Sequence, residues 1–140
     1  MKSFKKKRNS INRRSRLGAT AVEFSLTLPI LLIFLFATFE LGRGNMMLNT
    51  TEAAAYEAAR VAIIPGSTVA EVETAARQVM ATAGIKNADF SITPANLNEN
   101  SDSVAVTLSV SFADNSLLVP AFLDQAIFVR TCVLNREKAN

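Results

Sequence analysis

Sixteen consecutive residues, Phe24 to Phe39, carry no charge. A helix rises ~1.5 Å per residue, so this run covers roughly 24 Å. Widening it to residues 19–41 gives 23 residues and roughly 34 Å, against a bilayer hydrocarbon core of about 30 Å. Leu28, Ile30, Leu31, Leu32, Ile33, Phe34, Leu35 and Phe36 are apolar on every side of such a helix. A soluble amphipathic helix keeps its apolar residues to one stripe. The expectation is therefore a transmembrane helix over 19–41, with Glu23 and Glu40 near its two ends. Pro29 lacks an N–H, so the carbonyl of Ser25 loses its helical partner and a bend or frayed turn is expected there.

Charge is distributed unevenly around this run. Residues 1–17 hold eight cations and no acid; the rest of the chain holds seven cations and all twelve acids, a net of −5. The basic pI thus belongs to a short tail. Beside an apolar run, such a tail points to orientation in a membrane and contact with anionic lipid, not to nucleic-acid binding. The positive-inside rule puts the tail in the cytoplasm and the C-terminal part across the membrane.

Chemistry is restricted as well. The sequence has no histidine and one cysteine. That leaves almost nothing for zinc, haem, a Ser-His pair or an intrachain disulfide. No phosphate-binding glycine loop is present, and the acids are scattered. No cofactor, metal, catalytic residue or small-molecule substrate is assigned.

Three readings of tail plus span differ in where the chain is cut. A secretory signal peptide needs small residues at −3 and −1 after the apolar core, and Ala37-Thr38-Phe39-Glu40-Leu41-Gly42 offers no good site. A twin-arginine signal could use Arg13-Arg14 but lacks the same site. The third reading places the cut before the apolar run, at Arg16-Leu17-Gly18-Ala19-Thr20-Ala21-Val22-Glu23-Phe24. This junction resembles a type IV prepilin signal: a basic leader, Gly, a small residue, Glu at the fifth position, then a Leu-rich run. With Leu28-Pro29, Glu40-Leu41-Gly42-Arg43 and Ala53-Ala54-Ala55-Tyr56-Glu57-Ala58-Ala59-Arg60, the stretch 13–62 resembles the TadE-like family of minor pilins or pseudopilins of tight-adherence (Tad, Flp-type) pili.

The residues have their own physical reading beside that likeness. Gly18 has no side chain, so its backbone can enter a narrow protease cleft in an extended form. Glu23 lies four residues beyond Ala19, about one turn or ~6 Å along a helix. A carboxylate in a span is costly unless paired and marks a function by default; the bland reading is that it snorkels to the headgroups. The resemblance implies that a prepilin peptidase cuts between Gly18 and Ala19 and removes the tail. It also implies that Glu23 meets the new Ala19 ammonium of a neighbouring subunit; the sequence does not separate this from pairing within one chain.

The remainder reads as a small α+β domain. Residues 42–64 extend the helix, with Tyr56, Ala59 and Ile63 on one stripe, until Pro65-Gly66 ends it. Gly42 and Gly44 suggest either a hinge or close packing between subunits. Thr68 and Glu71 form a capping box for a second helix, with Val69, Val72, Ala76, Val79 and Ala83 on its apolar face and Gly84 closing it. Three strands follow. Phe90 and Ile92 mark the first. Alternation from Val104 to Phe112 marks the second. Ala126–Leu134 forms the third, with Ile127, Val129 and Val133 on one face and Arg130 and Cys132 on the other. An antiparallel sheet covered by both helices is expected. Residues 96–102 read as a turn. The stretch Leu117–Leu123 reads as a loop plugging the core or sheet edge, or else as an exposed patch for a subunit or the membrane. Cys132 reads as a small strand residue.

The organisation expected is a basic leader (1–18), a transmembrane helix (19–41), its extension (42–64) and an extracytoplasmic α+β domain (65–140). The leading function is structural, not enzymatic: a TadE-like prepilin of a bacterial inner membrane, with C-terminal domain outside, acting in Tad pilus biogenesis and adhesion. Its expected partners are a prepilin peptidase, other pilin subunits and assembly machinery, and membrane lipid. An uncleaved membrane-anchored binding module is the alternative.

Overall fold

A computed structural model describes residues 11–95, 102–116 and 119–136. The expected turn at 96–102 falls almost wholly outside these residues, as do Leu117 and Leu118. Two compact units meet in sequence between Thr38 and Phe39.

Helix α1 runs from Ile11 to Ala62. In its first part the side chains from Leu17 to Phe39 are almost all exposed. It is the one helix, among the described residues, with the length and composition to cross a membrane. The helix continues through Pro29 without the expected frayed turn. Just before it, the Ser25 hydroxyl donates to the Ala21 carbonyl at 2.7 Å and Thr27 to Glu23 at 3.0 Å. Polar side chains satisfied on their own backbone are what a lipid-facing turn tolerates.

The second unit is an α+β domain that includes the C-terminal part of α1. Helix α2 (Val69–Thr82) begins with the expected capping box: Thr68 N–H donates to Glu71 Oε2 at 2.8 Å and Glu71 N–H to Thr68 Oγ1 at 3.3 Å. It closes on Gly84 at φ +66. There Ile85 N–H reaches Met80 O and Gly84 N–H reaches Ala81 O, the two bonds of a Schellman closure. Strands β1 (Asp89–Thr93), β2 (Ser103–Ser111) and β3 (Ile127–Asn135) form an antiparallel sheet in that order. A one-turn helix α3 (Phe112–Asn115) follows β2, so Phe112 opens a helix and does not end the strand.

Alternation on β2 decides the core. Val104, Val106, Leu108 and Val110 are fully buried, each contributing roughly 1.5–3 kcal/mol. They join Val72, Ala76 and Met80 of α2 in one cluster with the inner face of α1. Of the expected stripe, Ala59 is buried and Ile63 half-buried, but Tyr56 is not. Tyr56 is 56% exposed, and the buried residues are Met47, Thr51, Ala54, Ala55, Ala58, Ala59 and Ala62. A row of alanines lets other elements approach the helix backbone closely. The buried Thr51 hydroxyl is satisfied by Met47 O at 2.7 Å. On β3 the inward set is Phe128, Cys132 and Leu134, whereas Ile127, Val129 and Val133 are exposed. Register explains this: Val110, Val106 and Val104 face Phe128, Cys132 and Leu134 across the ladder and share their side of the sheet.

Candidate functional site

One turn of α1 holds the domain together through three residues. Glu40 is only 9% exposed. Its Oε2 accepts from Ala121 N–H at 3.1 Å; its Oε1 accepts from Phe122 N–H at 2.8 Å and from Leu123 N–H. Three consecutive amides thus converge on one carboxylate, which fixes the loop 121–123 to the helix. Hydrogen bonds to an ionised acceptor are shorter and stronger than neutral ones.

Arg43 lies three residues on. Its guanidinium donates from Nη1 to Ala83 O at 2.5 Å and from Nη2 to Asn115 O at 3.1 Å. Ala83 is the C-cap of α2 and Asn115 ends α3. A cation on the orphan carbonyls at helix C-termini also meets their negative dipole ends. Arg43 therefore ties the ends of two helices to α1.

Gly44 completes the turn. A Cβ there would lie 2.8 Å from Leu123 Cδ1 and 3.5 Å from Phe128 Cζ. Phe128 in turn meets Phe112 edge-on, with centroids 6.3 Å apart. The helix passes through Gly42 and Gly44 unbroken. The close packing occurs within the chain at Gly44, while Gly42 has nothing within 4 Å of a built Cβ.

Asn115 anchors the far side. It is 5% exposed. Its side-chain oxygen accepts from Lys86 N–H at 2.8 Å and Asn87 N–H at 3.0 Å, and its amide donates to Asn87 O at 2.7 Å and Ser111 O at 3.0 Å. One side chain thus joins α3, the end of β2 and the entry to β1. The loop 119–123 does plug the core edge, through Leu123, yet leaves Phe122 57% and Val119 94% exposed.

The residues assigned from the junction lie elsewhere. Gly18, Ala19 and Glu23 are all on α1 and exposed. Ala19 and Glu23 occupy the same helical face, one turn apart. Gly18 is helical, with nothing within 4 Å of a built Cβ. No group of three or more metal-binding side chains occurs among the described residues. The Glu40, Arg43 and Asn115 network escaped the sequence reading; the one signal was the Glu-x-x-Arg-Gly spacing just past the apolar run.

The fold and these sites define a class: a long, exposed apolar helix that continues into the core of a small α+β domain. The family model described as TadE-like protein matches residues 18–60, just under a third of the chain. The match runs from Gly18 to Arg60 and lies wholly within α1. No curated protein and no solved structure matches the chain.

Proposed function

We propose that this chain is a TadE-like prepilin: a structural component, minor pilin or pseudopilin, of Tad pilus biogenesis. The observation that carries the proposal is the family match over residues 18–60, set on one continuous helix that includes the charge-free run 24–39. Its N-terminus lies in the cytoplasm, the helix crosses the bacterial inner membrane, and the α+β domain lies outside. A prepilin peptidase cuts between Gly18 and Ala19. Glycine costs a helix ~1 kcal/mol relative to alanine, so Gly18 eases the local unwinding that an extended backbone in a protease cleft requires. Cleavage places a new ammonium one turn from Glu23. In lipid the two charges attract strongly, because neither is screened by water. Pairing of Glu23 with the ammonium of a neighbouring subunit then sets the register in which apolar helices pack. The test is Glu23→Val in the native host. The variant is expected to insert into the membrane but to support few surface pili. Wild-type pilus numbers with the variant protein present would refute the role of Glu23.

A further inference from the structure

We infer that the loop 119–123, held to α1 by Glu40, is a membrane-surface contact whose Phe122 lodges at the boundary between headgroups and acyl chains; this rests on the transmembrane reading of residues 19–41. Glu40 follows directly on the charge-free run 24–39. A hydrocarbon core of about 30 Å takes about 20 helical residues. Centred on that run, it ends at about residue 41. Glu40 therefore stands where the helix leaves the hydrocarbon. A carboxylate at that level loses much of its water, and the amides of Ala121, Phe122 and Leu123 supply the donors in its place. The same bonds fix the height of the loop.

The loop's outward surface suits that height. Phe122 and Val119 are exposed, as are Phe39 and Leu41 on either side of Glu40 in α1. These four apolar side chains come from two segments clamped at one carboxylate. Asp124 and Gln125 follow at once, exposed and polar. No cation occurs in residues 119–126, so the contact is apolar and needs no anionic lipid. Continuity with the apolar run thus selects a lipid surface as the occupant in the membrane-inserted chain, before it packs with other subunits.

Depth-dependent quenching tests this in the full-length chain, in phosphatidylcholine vesicles. In a Cys132→Ala background, Leu31→Cys, Phe122→Cys and Ala53→Cys each carry an environment-sensitive dye, with nitroxide lipids as quenchers. The Phe122 label is expected to be blue-shifted and quenched most by a nitroxide near the headgroup. The Leu31 label should be quenched by a deep nitroxide, and the Ala53 label, ~20 Å beyond Glu40 along the helix, by neither. Adding Glu40→Gln should strip quenching from the Phe122 label alone. Quenching at Leu31 with none at Phe122 overturns the inference and leaves the span intact. A Phe122 label that is blue-shifted but unquenched means protein covers it, and also overturns the inference. No quenching at Leu31 removes the span and this proposal with it.

Discussion

Truncation of Asn115 to alanine exposes how the domain is held. The side chain makes four hydrogen bonds, two as acceptor and two as donor, at 2.7–3.0 Å and 5% exposure. Each buried bond contributes about 0.5–1.5 kcal/mol net, and each group left dry and unpaired costs about 1–3 kcal/mol. Lys86 and Asn87 themselves are exposed, so water recovers part of the loss on their side. The carbonyl of half-buried Ser111 recovers less. The expected cost is about 2–4 kcal/mol, nearer the sum of bond contributions than the sum of desolvation penalties. Asn87→Ala is the matched control: it removes one exposed bond, Nδ2 to Asp114 O at 3.3 Å, and should cost under about 0.5 kcal/mol. Thermal unfolding of the detergent-solubilised full chain measures both, and amide hydrogen exchange at Lys86 and Asn87 localises the effect. If Asn115→Ala unfolds with Asn87→Ala and leaves both amides protected, the hub assigned to Asn115 is wrong.

Other perturbations bear on separate parts of the account. Gly44→Ala gains ~1 kcal/mol of helix propensity but sets a Cβ 2.8 Å from Leu123 Cδ1; overpacking of about 1–3 kcal/mol makes the net change mildly destabilising. A thermal double-mutant cycle with Leu123→Ala should then show strong non-additivity, and simple additivity would reject the contact. The backbone N–H of Thr68, then its hydroxyl, hold the Glu71 carboxyl below its ordinary range. Its folded value lies under its unfolded one, so its contribution is present above the ordinary carboxylate range and fades as pH falls through the folded value. Glu71→Gln should therefore flatten this part of the acid limb, and an unchanged acid limb would count against the capping box. Burial raises the Cys132 thiol above its usual value, so alkylation at pH 8 should be slow when folded and fast in denaturant. Equal rates would remove Cys132 from the inner face of β3. Gly18→Asp should block maturation; normal processing of that variant would rule out Gly18 as the cleavage residue.

What could be read from sequence was local. Thr68 and Glu71 are three residues apart, Gly84 directly follows the C-cap of α2, and β2 alternates through Val104, Val106, Leu108 and Val110 with small or polar neighbours. Each signal is complete within one element, and both elements formed where expected except at Phe112, which opens α3 instead of ending β2. The inner face of α1 was misread because alanine differs little from its surroundings in hydropathy; Tyr56 looked the better core residue, yet small size decided the packing. On β3 both faces carry apolar residues, so alternation alone could not say that Phe128 points in and Val129 out. Register with β2 settled it. Glu40, Arg43 and Asn115 were illegible for a different reason. Glu40 meets backbone amides 81–83 residues away, and Arg43 reaches a carbonyl 72 residues away. Backbone partners leave no mark in the residue types of 121–123. Gly18, Ala19 and Glu23 belong to the opposite case: their spacing is plain in the sequence, and the role proposed for them belongs to other molecules.

The most direct measurement is the intact mass of the protein taken from native membranes of a piliated cell. Removal of the leader predicts a product that begins at Ala19 and keeps the apolar helix together with the folded domain. A product that still begins at Met1, or one cut after the apolar run, would contradict it.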